Sequence, residues 1–189
     1  MPGESQIDLE KFERIVITDF LVKKETKDID LNHEIRDYLN FELGQKLKGK
    51  VKLKSLPIEN DKVFENQDFW KGLHTDAEST LILTGTADYT EEVRKAILET
   101  KKDRFEDPFP RSKKLAERRF YTLKLDLYLI DSQSGEILYR RNFKETKGYR
   151  NPNQTAYFAF FDLIQRVKVK LLRNILGDTK IEERYLISK

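Results

Sequence analysis

The sequence predicts an α/β (α+β) fold, a mixed β-sheet of about five strands flanked by helices in the order β-α-β-α-β-β-β-α. Three observations support this fold. Strand-like runs alternate with segments of helical spacing along the first half of the chain. Two alternating runs joined by the turn DSQSG then predict an antiparallel hairpin. A long segment with an apolar stripe follows the hairpin and predicts a helix.

The first half of the chain supplies the alternating strands and helices. The β-branched run Phe12–Phe20 predicts a buried strand, and the side chain of Asp30 can cap the helix that follows. The alternating run VKLKSL predicts a second strand, and KVFENQDFWKGL predicts a second helix. TLILTGTADY predicts a third strand, in which alternate residues share one face: Leu81, Leu83, Gly85, Ala87 and Tyr89.

Residues 91–119 are polar and charged, and they predict a long excursion between two strands. Pro108 and Pro110 are incompatible with regular structure there, and a helical turn is expected around Val93 to Leu98. The predicted organisation is a flexible N-terminus over 1–11 and a single domain over 12–177. A tail follows over 178–189, in which RYLIS predicts an edge strand.

The second half of the chain predicts the hairpin and the long helix. In RFYTLKLDLYLID the apolar residues fall on one face and the polar residues on the other, and ILYRRNFKE continues the alternation. The last helix begins after Asn151 or Asn153 and ends at Gly177, so its ~24 residues would span roughly 36 Å and cross the whole sheet.

Composition limits the classes of function. The chain of 189 residues contains no cysteine, which excludes disulfides, thiolate zinc sites and cysteine nucleophiles. Its net charge is only +3, whereas a dedicated nucleic-acid-binding protein usually has a stronger, clustered excess. No apolar run is long enough for a membrane-spanning helix, and the N-terminus lacks the apolar segment of a signal peptide. Both a cytosolic protein and a mature form without its leader are compatible with these features.

The motifs that resemble catalytic or ligand-binding sequences each fail a requirement. Gly85 is a lone glycine in a strand, where a bulge or a close approach by a neighbouring helix explains it better than a phosphate loop. GQKLKGKV has the spacing of a phosphate-binding loop, but it ends a helix, and Val51 replaces the required Ser or Thr. DIDLNHE lacks the glycine and glutamate of a calcium loop, so helix capping is preferred. The two histidines, His33 and His74, belong to no ligand set. No catalytic residue, cofactor or metal is predicted.

Two basic clusters are the candidates for a binding surface. RSKKLAERR lies on the excursion near two phenylalanines, and YRRNFKETKGYR lies on the second strand of the hairpin. Basic residues interleaved with aromatics can bind an acidic protein face, anionic lipid or single-stranded nucleic acid, although such clusters also occur as solvated loops. The candidate partner-binding residues are Phe105, Phe109, Arg111, Lys113, Lys114, Arg118, Arg119, Arg140, Arg141 and Tyr149.

Three segments resemble an envelope lipoprotein superfamily. RIVITDF is similar to its opening strand, DAESTLILTGTADYTEE to its middle strand, and YTLKLDLYLIDSQSGEILYRRNFKE to its hairpin. The superfamily contains the curli-secretion channel protein, the lipoprotein activators of penicillin-binding proteins and the N-terminal domain of the Tol translocation protein. The resemblance implies a mixed sheet flanked by helices, no catalysis, and a protein partner in envelope assembly or secretion. It also implies a periplasmic location at the outer membrane through a lipid anchor that this chain lacks.

Two alternative functions remain open at the level of the sequence. One is a cytosolic nucleic-acid-binding domain that uses the basic residues of 111–119, which predicts binding that weakens steeply with salt. The other is a hydrolase whose site these motifs miss, because a fold alone does not exclude chemistry.

Overall fold

The computed structural model describes residues 7, 9–73, 79–97, 115–149, 151 and 153–176. The strands are β1 Arg14–Val22, β2 Val51–Leu53, β3 Thr80–Ile97, β4 Leu115–Asp131 and β5 Ile137–Tyr149. The helices are α1 Leu31–Lys46, α2 Gln67–Lys71 and α3 Ala156–Leu176, with short 3-10 turns at Leu9–Lys11 and Asp61–Glu65. The predicted fold class, a mixed sheet of five strands with the predicted element order, is confirmed.

The five strands form one sheet in the order β2-β1-β3-β4-β5. β1 pairs in parallel with both β2 and β3, and β3, β4 and β5 pair antiparallel with one another. Leu81 and Leu83 pack in the main core with α1 and α3, whereas Ile82 packs with Phe64 and Trp70 in a smaller core. Because neighbouring residues of a strand point to opposite faces, α1 and α3 form a layer on one face and the α2 segment covers part of the other.

The start and the buried stripe of α1 are those that the sequence predicts. The carboxylate of Asp30 accepts a hydrogen bond from the amide of His33 at 3.0 Å, which satisfies one of the free amides at the helix start. The buried residues of the helix recur every four positions: Leu31, Ile35, Leu39 and Leu43. Gly49, with a φ of 77°, follows the helix and allows the chain to turn into β2.

α3 lies beside α1 on the sheet. The ammonium group of Lys168 contacts the carboxylate of Glu42 at 3.0 Å, and the rings of Tyr38 and Phe161 lie 6.3 Å apart. α3 contacts both β4 and β5, so it runs over the antiparallel half of the sheet while α1 covers the parallel half. The predicted end of this helix at Gly177 lies outside the described residues.

A buried carboxylate within β1, that of Asp19, joins three segments of the chain. Oδ1 of Asp19 accepts hydrogen bonds from Asn32 Nδ2 at 3.0 Å and from the guanidinium of Arg36. Oδ2 accepts hydrogen bonds from Ser55 Oγ at 2.8 Å and from the amide of Leu56 at 2.7 Å. β1, the first two turns of α1 and the segment after β2 therefore meet at one carboxylate.

The same region explains the glycine of β3. The pairing of β1 with β3 shifts between Ile17 and Phe20, beside Gly85. A Cβ atom on Gly85 would lie 2.0 Å from the carbonyl oxygen of Asp126 and 3.1 Å from the Phe20 ring. The structural interpretation of Gly85 is therefore right, although the close neighbours are a strand carbonyl and a phenyl ring and no helix is among them.

The structure changes the prediction for the charged excursion. The expected helical turn around Val93 to Leu98 is wrong, because Val93–Ile97 continue β3 and pair with Leu115–Arg119 of β4. Residues 91–95 of this extension are all exposed, so no apolar alternation revealed the strand. The rest of the excursion at 98–114, residues 1–6 and 8 of the predicted N-terminus 1–11, and the predicted tail 178–189 with its edge strand lie outside the described residues.

Replacing Asp19 by asparagine should destabilise the fold by about 3 kcal/mol, because Arg36 would lose its charged partner in a largely buried site. Burial alone would raise the pKa of Asp19, but the hydrogen bonds from Asn32, Ser55 and Leu56 and the charge of Arg36 outweigh it. The pKa of Asp19 therefore lies below its ordinary value of 3.8. Urea unfolding at neutral pH measures the loss of stability.

The pH dependence of the unfolding free energy, compared between the wild type and Asp19→Asn, gives a second test. A carboxylate whose pKa is lowered by folding contributes stability above its unfolded pKa of 3.8, and that contribution disappears as the pH falls through the lower folded pKa. Asp19→Asn should therefore lose less stability than the wild type between neutral and strongly acidic pH. Parallel stability curves across that range would show that Asp19 is not the stabilising anion described above.

Replacing Gly85 by alanine should destabilise the protein by about 3 kcal/mol or more, because the new methyl group has no space beside Asp126. Gly44→Ala is the matched control. Gly44 lies in α1, and apart from its chain neighbours and the nearby backbone of its own helix no atom lies within 4 Å of the position of the new methyl group. Alanine should therefore stabilise by roughly 0.5–1 kcal/mol. Thermal unfolding of both variants measures the two effects, and equal melting temperatures would contradict the close approach at Gly85.

Candidate functional site

β5 is the last strand on its side of the sheet, and the described residues pair with it only through β4. It is 13 residues long, whereas β2 at the opposite edge has three. The side chains of Arg140 and Lys144 point to the sheet face without α1 and α3, which is called the open face below. Arg141 and Lys147 point to the face that carries the helices. Basic side chains thus flank this free edge on both faces.

On the open face, the β5 side chains lie opposite residues of β4. The guanidinium of Arg140 lies 5.1 Å from the ring centre of Tyr128, whose other neighbour is the stacked ring of Phe64 at 4.6 Å. Lys144 lies directly opposite Lys124, which contacts Asp88 at 3.4 Å. Like charges directly opposite one another destabilise a sheet, so this pair weakens the pairing of β4 with β5.

On the helix face, α3 places a second row of charges beside β5. Asp162 accepts hydrogen bonds from Lys147 and from the hydroxyl of Tyr149, and Lys170 contacts the carboxylate of Glu145. Because residues four apart share one side of a helix, Arg166 lies on the same flank as Asp162 and Lys170. Arg173 follows Lys170 by three residues and extends this flank.

The carboxylates of β5 and of this flank of α3, Glu145 and Asp162, are engaged by cations of the chain itself. Burial alone would raise the pKa of Asp162, but hydrogen bonds from Lys147 and Tyr149 and the charges of Lys147 and Arg166 outweigh it and hold that pKa below its ordinary value. Glu145 is buried at 9% exposure against Lys170. The basic residues of β5 and this flank of α3, called the basic edge, are Arg140, Arg141, Lys144, Lys147, Arg166, Lys170 and Arg173.

The basic edge has an excess of positive charge. Among the described residues, Arg140, Arg141, Lys144 and Arg173 have no carboxylate within ion-pair distance. Arg140 and Arg141 lie over the rings of Tyr128 and Phe143 and remain exposed. Such a cluster produces a positive local potential that attracts an acidic surface.

The ends of β3 and β4 that extend past β5 form a second element with basic residues. β3 and β4 pair as far as Ile97 and Leu115, beyond the point at which Tyr149 ends β5. They therefore project as a two-stranded ribbon. Residues 91–119 contain 10 basic and 7 acidic residues, which equals the whole net charge of +3 of the chain.

Within the ribbon, charges and rings are organised by local contacts. Arg119 contacts Glu91 at 3.0 Å, and Arg94 contacts Glu92 at 2.7 Å while lying 4.7 Å from the ring centre of Phe120. The Phe120 ring in turn covers Gly148 of β5, where a Cβ atom would lie 2.6 Å from it.

The structure brings some of the predicted binding residues together. Arg140 and Arg141 are exposed and form part of the basic edge. Arg118 and Arg119 are partly buried at the base of the ribbon. Five further candidates lie outside the described residues: Phe105, Phe109, Arg111, Lys113 and Lys114.

Tyr149 does not fit its predicted role as a surface anchor. Its ring is buried at 9% exposure against Tyr121 and Phe158, and its hydroxyl donates to Asp162. Burial, followed by the bond to Asp162, raises the pKa of Tyr149 above its ordinary value. The residue therefore helps to hold the start of α3 on the sheet.

Sequence reasoning missed most of the basic edge. Lys144 and Lys147 lie within the second basic cluster but are not among the predicted binding residues. The contributions of α3, Arg166, Lys170 and Arg173, carry a detectable signal, since they recur at spacings of three and four residues on a helix with an otherwise apolar stripe. Their proximity to β5 depends on tertiary packing.

The residues of GQKLKGKV and DIDLNHE, which resemble ligand-binding motifs, serve the fold instead. Gly44 lies in α1 and Lys50 directly precedes β2, so GQKLKGKV ends a helix as expected. Asp30 caps α1, and Asn32 serves the Asp19 network. Across the described part of the chain, no group of three or more histidine, aspartate or glutamate side chains is arranged to hold a metal ion. Within those same residues, no helix combines the length and apolar character needed to cross a membrane.

Comparisons with known proteins identify similar solved structures only. No protein-family model matches the sequence, and no curated protein matches it. A PelC dodecamer from Paraburkholderia phytofirmans is 12% identical, with 87% of this chain and 89% of that chain covered and a TM-score of 0.47.

Two further solved structures show a similar level of likeness. A neuraminyllactose-binding hemagglutinin homolog from Helicobacter pylori is 12% identical, with 92% and 87% covered and a TM-score of 0.45. Lipoprotein GNA1162 from Neisseria meningitidis is 14% identical, with 85% and 98% covered and a TM-score of 0.39. Such identities and TM-scores are too low to transfer a function, and the finer resemblance to the curli, penicillin-binding-protein activator and Tol proteins stays a prediction.

Proposed function

We propose that this chain is a non-catalytic interaction module of the bacterial cell envelope, which binds an acidic protein partner through the basic edge. In this proposal a lipid anchor holds the native protein at the outer membrane, on its periplasmic side. The envelope location and the role in assembly or secretion rest on the sequence resemblance of the opening strand, the middle strand and the hairpin.

The observation that carries the proposal is the excess of positive charge along β5, a long strand that pairs on one side only among the described residues. Arg140, Arg141 and Lys144 are exposed at this edge, while the carboxylates of β5 and α3, Glu145 and Asp162, are already engaged by the chain's own cations. On β4, Asp126 lies opposite Asn142 and accepts hydrogen bonds from Asn142 and Thr86. Charged groups of this kind steer a complementary surface and accelerate its association.

The buried ionisable groups support a structural role in place of catalysis. Asp19 accepts four hydrogen bonds, and Asp162 accepts bonds from Lys147 and Tyr149. A catalytic carboxylate acts by exchanging protons or attacking a substrate, which requires a lone pair free to meet the reacting atom. Both oxygens of Asp19 and Oδ2 of Asp162 are instead committed to hydrogen bonds within the fold.

Site-specific photo-crosslinking in the source bacterium tests the function. A photoreactive amino acid in place of Thr146, which is exposed on β5, should form an adduct with one envelope protein that carries an acidic surface. The same amino acid in place of Lys52, which is exposed on β2 at the opposite edge, is the matched control and should not form it. Mass spectrometry identifies the adduct, and the purified partner then allows affinity measurements.

Charge reversal tests the electrostatic basis of the binding. Arg141→Glu together with Lys144→Glu should weaken the affinity for that purified partner by at least about tenfold. Lys48→Glu together with Lys52→Glu makes the same change in net charge elsewhere and should alter the affinity by less than about twofold. Equal adducts from both edges, nuclease-sensitive adducts, or equal loss of affinity in the two double variants would contradict the proposed function.

A further inference from the structure

The free edge of β5 offers its backbone as well as its charges. An edge strand presents a row of unpaired amide and carbonyl groups, to which an extended segment can add as a new strand. β5 is long enough for such a segment to pair over roughly 40 Å. The occupant could come from this chain, from a second copy, or from another protein.

The direction of the chain argues against an occupant that follows α3. α1 lies on the helix face and connects β1 to the parallel strand β2, while the remaining strands lie on the other side of β1. Crossovers between parallel strands are right-handed in about 98% of cases. Because α3 lies in the same layer as α1, a strand following α3 and running parallel to β5 beyond its free edge would form a left-handed crossover.

Electrostatics argues against a second copy. Two β5 strands paired about a two-fold axis would bring the same surface patch of each chain together. In each patch, β5 and the flank of α3 contribute the seven cations of the basic edge and two carboxylates, both of which contact lysines of their own chain. The uncompensated charges of Arg140, Arg141, Lys144 and Arg173 would then face their own copies.

We infer that the basic edge binds an acidic, extended peptide segment of another protein, which adds to β5 as a sixth strand. This inference rests on the proposed function and specifies its mode of binding. Side chains of an added strand alternate between the two faces of the sheet. Acidic residues on one face would meet Arg140 and Lys144, and acidic residues on the other would meet Arg141 and the flank of α3.

The added strand would also relieve the repulsion on the open face. Lys144 of β5 and Lys124 of β4 lie directly opposite one another. Of these two lysines, Lys124 contacts Asp88 and Lys144 does not. A glutamate of the sixth strand placed opposite Lys144 would supply the missing counter-charge. Cross-strand pairs of opposite charge contribute roughly 0.2–1 kcal/mol each, so several of them along one strand produce a measurable affinity.

Backbone methylation of a synthetic peptide tests strand addition directly. The probe is a peptide of about ten residues in which pairs of glutamates alternate with pairs of valine or threonine, so that glutamates lie on both faces of the added strand. Its affinity is measured by fluorescence anisotropy. Because only every second amide of an added strand points towards β5, methylating one alternate set of amides should abolish binding. Methylating the other set should change the affinity by less than about threefold.

Variants of the full chain locate the binding site. Arg141→Glu with Lys144→Glu should weaken the unmethylated peptide at least about tenfold, whereas Lys48→Glu with Lys52→Glu at the β2 side should weaken it by less than about twofold. A matched peptide in which lysine replaces each glutamate should not bind. Circular dichroism of both double variants confirms that they are folded.

Several outcomes would overturn the inference. Equal binding of the two methylated peptides would show that charge attraction acts without backbone hydrogen bonds between strands. No binding at about 1 mM peptide would show that the cations only protect the edge against association with other strands. A dimer in sedimentation experiments that dissociates in Arg141→Glu with Lys144→Glu would show that a second copy occupies β5.

The failure of the inference and the failure of the proposed function are distinguishable. If the crosslinked envelope protein binds the basic edge but the acidic peptide does not compete with it, the function stands and strand addition is wrong. If the peptide binds with the expected methylation pattern but no envelope protein crosslinks at β5, strand addition stands and the envelope role is wrong.

Discussion

The carboxylate of Asp19 is the point at which the parallel half of the molecule is held together. It accepts hydrogen bonds from Asn32 and Arg36 of α1 and from Ser55 and Leu56 after β2, while Thr84 of β3 donates to its backbone carbonyl at 3.0 Å. A buried carboxylate is costly unless donors surround it, so the site forces these segments to arrive together. The shifted pairing of β1 with β3 beside Gly85 belongs to the same arrangement, because it changes the alignment of the strand where Asp19 lies.

The hydrogen-bond network of Asp19 influences which edge of the sheet is left without a neighbouring strand among the described residues. Asp19 fixes α1 over β1 and β2, and the contacts of Tyr38 and Glu42 with α3 place the second helix beside it, over β4 and β5. Once both helices share one face, a parallel strand added beyond β5 through a crossover on that face would be left-handed, which is rare. The position of the basic edge is thus a consequence of interactions at the opposite half of the sheet.

The sequence predicts the parts of this fold whose signals are local. Alternating apolar residues locate the strands, and Asp30 and the leucines of α1 give the helix and its start. The Asp19 network is not predictable in this way, because its donors lie 13, 17 and 36 residues away and are ordinary polar residues. The extension of β3 and β4 escapes prediction for another reason. A ribbon exposed to water has no buried face, so the two-residue period that identifies strands is lost beyond Thr90. Of the basic edge, Arg140 and Arg141 are predictable as a cluster, whereas Arg166, Lys170 and Arg173 join it only through packing.

Cations on an edge strand have an ordinary explanation, because lysine and arginine protect exposed edges against association with other strands. That explanation requires only a few charges facing the incoming backbone, and β5 would satisfy it with Lys144 alone. The charges here are more extensive, since they occupy both faces of β5 and continue along α3, while Glu145 and Asp162 neutralise only part of them. A protective edge works against any strand. A row of cations instead repels basic strands, including a second copy of β5, and attracts acidic ones. The arrangement therefore selects among strands by charge, which is the property that a specific docking site requires.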